Sequence, residues 1–298
     1  MALVYNHNKH DNFKALKSLQ QGKYAKFYQK NILAVTLAAA TTTTIVGCAS
    51  TTSTGVVGAD RKQLLLISSQ EIMQLSHQAY LQTINEARTK GRLDNNTAQV
   101  RRLHRIANHL IPQTAVLRPD ATRWDWKVHA ITDNQINAYV MPSGKIVFYT
   151  GIIERLRLTD AEIAAVMGHE MAHALREHSR EKASRHIATQ GVLSIAVNAL
   201  GLSGGQAQLV GLAGRLGLDL PHSRTQEAEA DKIGIELMAR AGYDPNAAIT
   251  LWQKMQSAGG NGVPQFLSTH PSSTNRIANL KALVPTVMPL YQTSQNIH

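Results

Sequence analysis

A single cysteine, Cys48, stands in the 298 residues, so no internal disulfide framework can staple this chain. There is no uninterrupted apolar run of membrane-spanning length. The most apolar stretch, residues 191–220, is broken by Asn198, Gln206, Gln208, Arg215 and Asp219. It reads as a mobile helical lid or a packing segment. Basic charge is not gathered into a patch. Residues 1–47 hold six lysines against one aspartate, nearly half of the net charge of +11, and the rest is spread out. That distribution argues against a nucleic-acid partner and is compatible with mild attraction to anionic lipid. Internal repeats are also absent. What remains is an apolar fraction of 43%, enough for a folded core.

The lone cysteine matters by its place. Lys23, Lys26 and Lys30 precede an apolar run at 32–40, four threonines, and then Ile45-Val46-Gly47-Cys48. A basic region, an apolar region and a small residue before a cleavage point make up a secretory signal. Residues 32–47 are too short and too threonine-rich for a stable span. Ile-Val-Gly-Cys resembles the lipobox of bacterial lipoproteins. The resemblance implies removal of residues 1–47, a lipid on Cys48 and, because Ala49 rather than Asp follows, sorting to the outer membrane facing the periplasm. The basic region is long for a signal, which places the true start downstream of Met1 as an alternative. Residues 48–60, including Ala-Ser-Thr-Thr-Ser-Thr-Gly, then read as a small, polar, lipidated tether.

Ser68 and Glu71 form a capping box that opens a helix to about residue 90, and a second helix over 98–111 ends at Pro112. The period then shortens. Trp124, Trp126, Val128 and Ala130 alternate with polar residues as in a strand, and 136–141 and 145–150 flank Pro142-Ser143-Gly144 as a hairpin. Ser223 and Gln226 cap a helix closed by Gly242, and Asp244-Pro245 opens another. A last helix lies near 273–283, and the chain after Pro285 is expected to be poorly ordered. Helices, a small antiparallel sheet, then helices make an α+β domain.

The chemistry concentrates at 159–178. Thr159 and Glu162 make a third capping box, and the helix it opens carries His169-Glu170-Met171-Ala172-His173, an H-E-x-x-H pattern. Ile163, Ala164, Met167, Met171, Ala174 and Leu175 share one arc, with His169, Glu170 and His173 opposite. Two imidazoles four residues apart can reach one Zn²⁺, and a catalytic zinc takes three protein ligands with a fourth position open. A third histidine ligand in the metzincin manner needs Gly at 176 and His at 179, where this chain has Arg176 and Ser179. His178 misses that register and reads as a surface or core histidine. Glu227, with Asp231 one turn later, stacks two carboxylates on one helical face. One can bind a metal, and the other can hold the second N–H of a ligand histidine. The plainer reading of Glu227, Glu229 and Asp231 is a solvated acidic face.

HEMAH, SRTQEAEAD, STHPSSTNRI and NAYVMPSGKIVFYTG together resemble the HtpX and CAAX-prenyl-protease family of zinc endopeptidases, in its soluble outer-membrane lipoprotein branch. The resemblance implies a zincin-like, mainly helical protease domain over 61–285, with 286–298 as a flexible tail. It implies one Zn²⁺ per chain on His169, His173 and Glu227, with Glu170 as catalytic base and Asp231 orienting a ligand. Asn137, Ala138 and Tyr139 match an edge strand that pairs with extended substrate. His270 and Arg276 are candidate oxyanion donors. In one branch the histidine matching His270 is instead a fourth zinc ligand that shuts the site, and an ordinary loop histidine is the bland alternative. The implied partners are unfolded or misfolded envelope proteins, and a membrane reached through the lipid. A chaperone-like assembly lipoprotein with a silenced or structural zinc site is the rival reading.

Overall fold

A computed structural model describes residues 49–190, 221–258, 264–271 and 275–296. Cys48, the expected signal and segment 191–220 lie outside the described residues. The chain runs through α1 (Ser69–Thr89), α2 (Thr97–Leu110), short 3-10 turns at Ile111–Val116 and Pro119–Arg123, then β1 (Lys127–Ile131), β2 (Ala138–Met141) and β3 (Lys145–Tyr149). There follow α3 (Thr150–Arg155), α4 (Asp160–Leu175), α5 (His178–Gln190), α6 (Arg224–Arg240), α7 (Asn246–Ser257), α8 (Gln265–Thr269) and α9 (Arg276–Gln295).

All three capping boxes form where the local sequence places them. At α1, α4 and α6 the Ser or Thr side chain accepts from the backbone N–H three residues on, and the Glu or Gln side chain there accepts from the cap's own N–H. The hairpin also forms, with β2 and β3 antiparallel. β1, however, joins the other edge of β3 in parallel, Lys127 opposite Lys145 and Ile131 opposite Tyr149. The sheet is therefore mixed, in the order β1-β3-β2, rather than antiparallel. A tight turn fixes β2 against β3, whereas β1 is placed by packing that local sequence does not encode.

Two expectations about the chain ends need correction. Residues 49–63 are not a loose tether but a docked strap. Ala49 and Gln63 exchange backbone hydrogen bonds, Ser53 N–H donates to Leu117 O at 2.8 Å, and Val57 and Ala59 are buried. Nor is the chain after Pro285 poorly ordered, because α9 continues to Gln295 through Pro285 and Pro289. The two missing N–H groups are offset by tertiary contacts. Val287 is fully buried, Ser294 Oγ donates to Ala239 O, and Gln295 Nε2 donates to Gly242 O.

The central helix, α4, is buried all round from Glu162 to Leu175. Its apolar arc enters the main core, where fully buried residues such as Ile163 contribute about 1.5–3 kcal/mol each. Its other side meets α6 at very close range. A Cβ added at Gly234 would stand 2.8 Å from His169 N and 2.9 Å from His169 Cα, so only a glycine lets the two backbones touch there.

Candidate metal centre

That crossing sets the site. α4 presents His169, Glu170 and His173. The capped first turn of α6 brings in Glu227, and the next turn brings Asp231. The loop after α8 supplies His270. One ligand atom from each of His169, His173, Glu227 and His270 lies within 4.8 Å of the others, and all four residues are buried. His169 Nε2 and His173 Nε2 are 3.2 Å apart, with Glu227 Oε2 3.5 Å from the first and Oε1 3.4 Å from the second.

Protons alone satisfy this arrangement poorly. Glu227 Oε1, His270 Nε2 and Glu170 Oε1 are buried without a hydrogen-bond partner, and at most one proton can sit between the two facing imidazole nitrogens. A buried set of two or three imidazoles and one carboxylate converging on a point suits a zinc ion. Glu170 stands just beside the set, Oε1 at 3.2 Å from His270 Nε2. Burial pushes its carboxyl up to about 8, against the pull of His169, with Glu227 adding to the rise and the Val140 N–H bond opposing it.

The surroundings brace the donors. Asp231 Oδ1 lies 3.0 Å from His169 Nδ1, within reach to orient the ring. Arg276, 2% exposed, donates to Glu227 Oε2 at 2.8 Å and to Asp231 Oδ1 at 2.6 Å, and its guanidinium lies 3.4 Å from the centre of the Trp252 ring. Here it is a brace between two carboxylates. Asn137, Ala138 and Tyr139 are all buried, with Ala138 N–H taken by Asn137 Oδ1. Phe266 N–H donates to Ile136 O, so the segment carrying His270 is tied to the chain just before β2.

Sequence reasoning missed two neighbours, His222 and Arg61, and left His178 between a surface and a core position. His178 is fully buried, its Nδ1 2.8 Å from His173 Nδ1 and its Nε2 3.1 Å from Glu229 Oε2. His222 lays its ring over His173 with centroids 3.9 Å apart. Its place just before the Ser223 cap, at the mouth of the helix that carries Glu227, was the only available signal. Arg61 of the strap binds both Glu181 and Glu229 in bidentate fashion at 2.8–2.9 Å. Glu229 is thus buried and structural, not part of a solvated face.

This second network makes an acid prediction. Although burial opposes it, bonds from His178, Arg61 and Arg176 hold the Glu229 carboxyl down at about 2, against an ordinary 4.5, and Glu181 is held low in the same way. A depressed carboxylate stabilises the fold fully above its unfolded value and loses that contribution as pH falls through the folded value. Stability in urea melts is therefore expected to fall from about pH 4.5 towards pH 2, with a shallower fall in Glu229→Gln.

A buried H-E-x-x-H helix crossed by a glutamate-bearing helix, in a small α+β domain, defines a metallopeptidase. Residues 97–284 match the model of peptidase family M48, and the chain belongs to that family, whose metalloproteases use zinc. It is 41% identical to the mitochondrial metalloendopeptidase OMA1 of Schizosaccharomyces pombe over 58% of this chain and 51% of that protein. It is 32% identical to OMA1 of Bos taurus over 78% of this chain and 46% of that protein. Against metalloprotease LoiP of Escherichia coli the identity is 28%, over 84% of this chain and 96% of the relative. The chain spans about half the length of the OMA1 relatives.

Proposed function

We propose that the protein is a zinc-dependent endopeptidase of the bacterial cell envelope that hydrolyses misfolded or unfolded envelope proteins. The observation that carries the hydrolytic part is Glu170, a buried carboxylate with a free oxygen beside the donor set. A purely structural metal site has no use for a general base. His169, His173 and Glu227 would hold a zinc ion, whose chemistry when bound would be to polarise the scissile carbonyl and lower the pKa of a water to about 7. Glu170 takes the proton of the attacking water and returns it to the leaving amine nitrogen. Asp231 and Arg276 keep His169 and Glu227 in register for that step. The envelope setting is supported by the lipobox-like Ile45–Cys48 and by the match along nearly the whole length of LoiP. The mitochondrial naming of the OMA1 relatives stands against it. Among the described residues no helix is long and apolar enough to cross a membrane.

With His270 as a fourth ligand, a zinc ion held here would have no position open for water, so we read the arrangement as a closed form. Zinc-loaded protein is expected to cleave casein and to lose that activity when the metal is chelated. His270→Ala is expected to raise cleavage severalfold. A fall in His270→Ala would make His270 an oxyanion donor instead. Stoichiometric zinc without cleavage by either form would favour the chaperone-like reading.

A further inference from the structure

The two candidate histidine ligands are oriented by different means. Behind His169 stands a carboxylate, with Asp231 Oδ1 3.0 Å from its Nδ1. Behind His173 stands another imidazole, His178, and only behind that a carboxylate, Glu229. A break in the helix produces this arrangement. α4 closes at Leu175, Arg176 caps it, and Glu177 turns the chain with φ 48° in the left-handed region. His178 therefore opens α5 and folds back against the turn that carries His173, instead of continuing around α4.

The proton positions follow from the acceptors. Glu229 accepts from Arg61 at 2.9 and 2.8 Å and from Arg176 at 3.1 Å, so it is an ionised, acceptor-only group. The His178 nitrogen facing it, Nε2, must then carry the hydrogen. A neutral His178 has its lone pair at Nδ1. The atom 2.8 Å away, His173 Nδ1, must therefore donate. That leaves the lone pair of His173 at Nε2, the atom that points into the donor set. His222 packs at a tilt against the His173 ring but contributes no hydrogen to this chain, since its Nδ1 has no hydrogen-bond partner.

His173, His178 and His222 also lie close enough to share a cation. Both nitrogens of His178 are already accounted for, however, and the Lys182 ammonium stands 3.5 Å from His222 Nε2. The trio serves better as a relay than as a second metal site.

We propose that His178, backed by Glu229 and through it by Arg61 of the N-terminal strap, is a positioning residue that selects the metal-binding tautomer of His173 and fixes its ring. This rests on the reading of His173 as a zinc ligand, and the experiment separates the two. Zinc affinity is measured by chelator competition on the full chain for the parent, His173→Ala, His178→Leu and His178→Asn. His178→Leu is expected to weaken zinc binding roughly 10–100-fold, the usual range for losing a group that orients a ligand. His178→Asn should recover most of it, because an amide oxygen can accept the His173 Nδ1 hydrogen. Long-range ¹H–¹⁵N spectra of the zinc-loaded parent should show His173 protonated at Nδ1.

If His173→Ala loses zinc while His178→Leu stays within about twofold of the parent, the inference is overturned and the ligand reading stands. If His173→Ala also binds as the parent does, both fall. Should His178→Leu fail to fold by circular dichroism, the spectrum of the parent decides. Protonation at Nδ1 supports the relay, and protonation at Nε2 overturns it.

Discussion

Glu170→Gln is expected to bind zinc as the parent does and to lose roughly 10²–10⁴-fold in the rate of casein cleavage. The side chain is 2% exposed, and glutamine has the same shape, so no cavity and no clash follow. An amide oxygen can still accept the Val140 N–H that holds the carboxylate now. What glutamine cannot do is take a proton from water and hand it on. Metal content and turnover on the same preparation provide the check. Full activity with normal zinc would remove Glu170 from the mechanism, and loss of zinc would show that it shapes the donor set instead.

Gly234→Ala is expected to cost about 1–3 kcal/mol of stability, the usual penalty for overpacking, and to loosen zinc as well. The new methyl would meet backbone atoms of His169 at 2.8 and 2.9 Å, and backbone cannot step aside as a flexible side chain can. α6 must move off α4, taking Glu227 and Asp231 away from His169 and His173. Gly168→Ala acts on the same crossing from the other side, its Cβ meeting Gly234 O at 2.9 Å. Once one substitution has parted the helices the second has less to push against, so the double variant should lose less than the two single losses together. Thermal melts of metal-free protein and chelator competition measure the two effects separately. Unchanged values in both would mean that the crossing has slack.

The first of these predictions concerns a part of the site that could be read from sequence, whereas the Gly168–Gly234 contact behind the second could not. Four-residue spacing on a capped helix is local geometry, so the shared faces of His169 with His173 and of Glu227 with Asp231 were legible without a fold. His178 was legible only as a surface or core histidine, because local sequence does not show that α4 closes at Leu175. The actual chain bends at Glu177, held there by ion pairs of 2.8 Å to Arg118 and Arg180. No local propensity marks a non-glycine residue for positive φ when a partner as distant as Arg118 helps to impose it. Arg61, more than 160 residues from Glu229, was illegible for the same reason, as was the parallel pairing of β1. The helix through Pro285 and Pro289 shows local preference yielding to docking.

The docked strap bears on where such an enzyme could work. Ala49 is already hydrogen-bonded to Gln63, and one peptide unit, about 3.8 Å, separates its Cα from that of Cys48. A lipid on Cys48, as the lipobox resemblance implies, would leave the catalytic body no leash. It would ride against the bilayer, and its targets would be chains exposed within roughly one protein diameter of the membrane surface, beyond the reach of which an extended thirteen-residue tether, about 45 Å long, could otherwise have carried it.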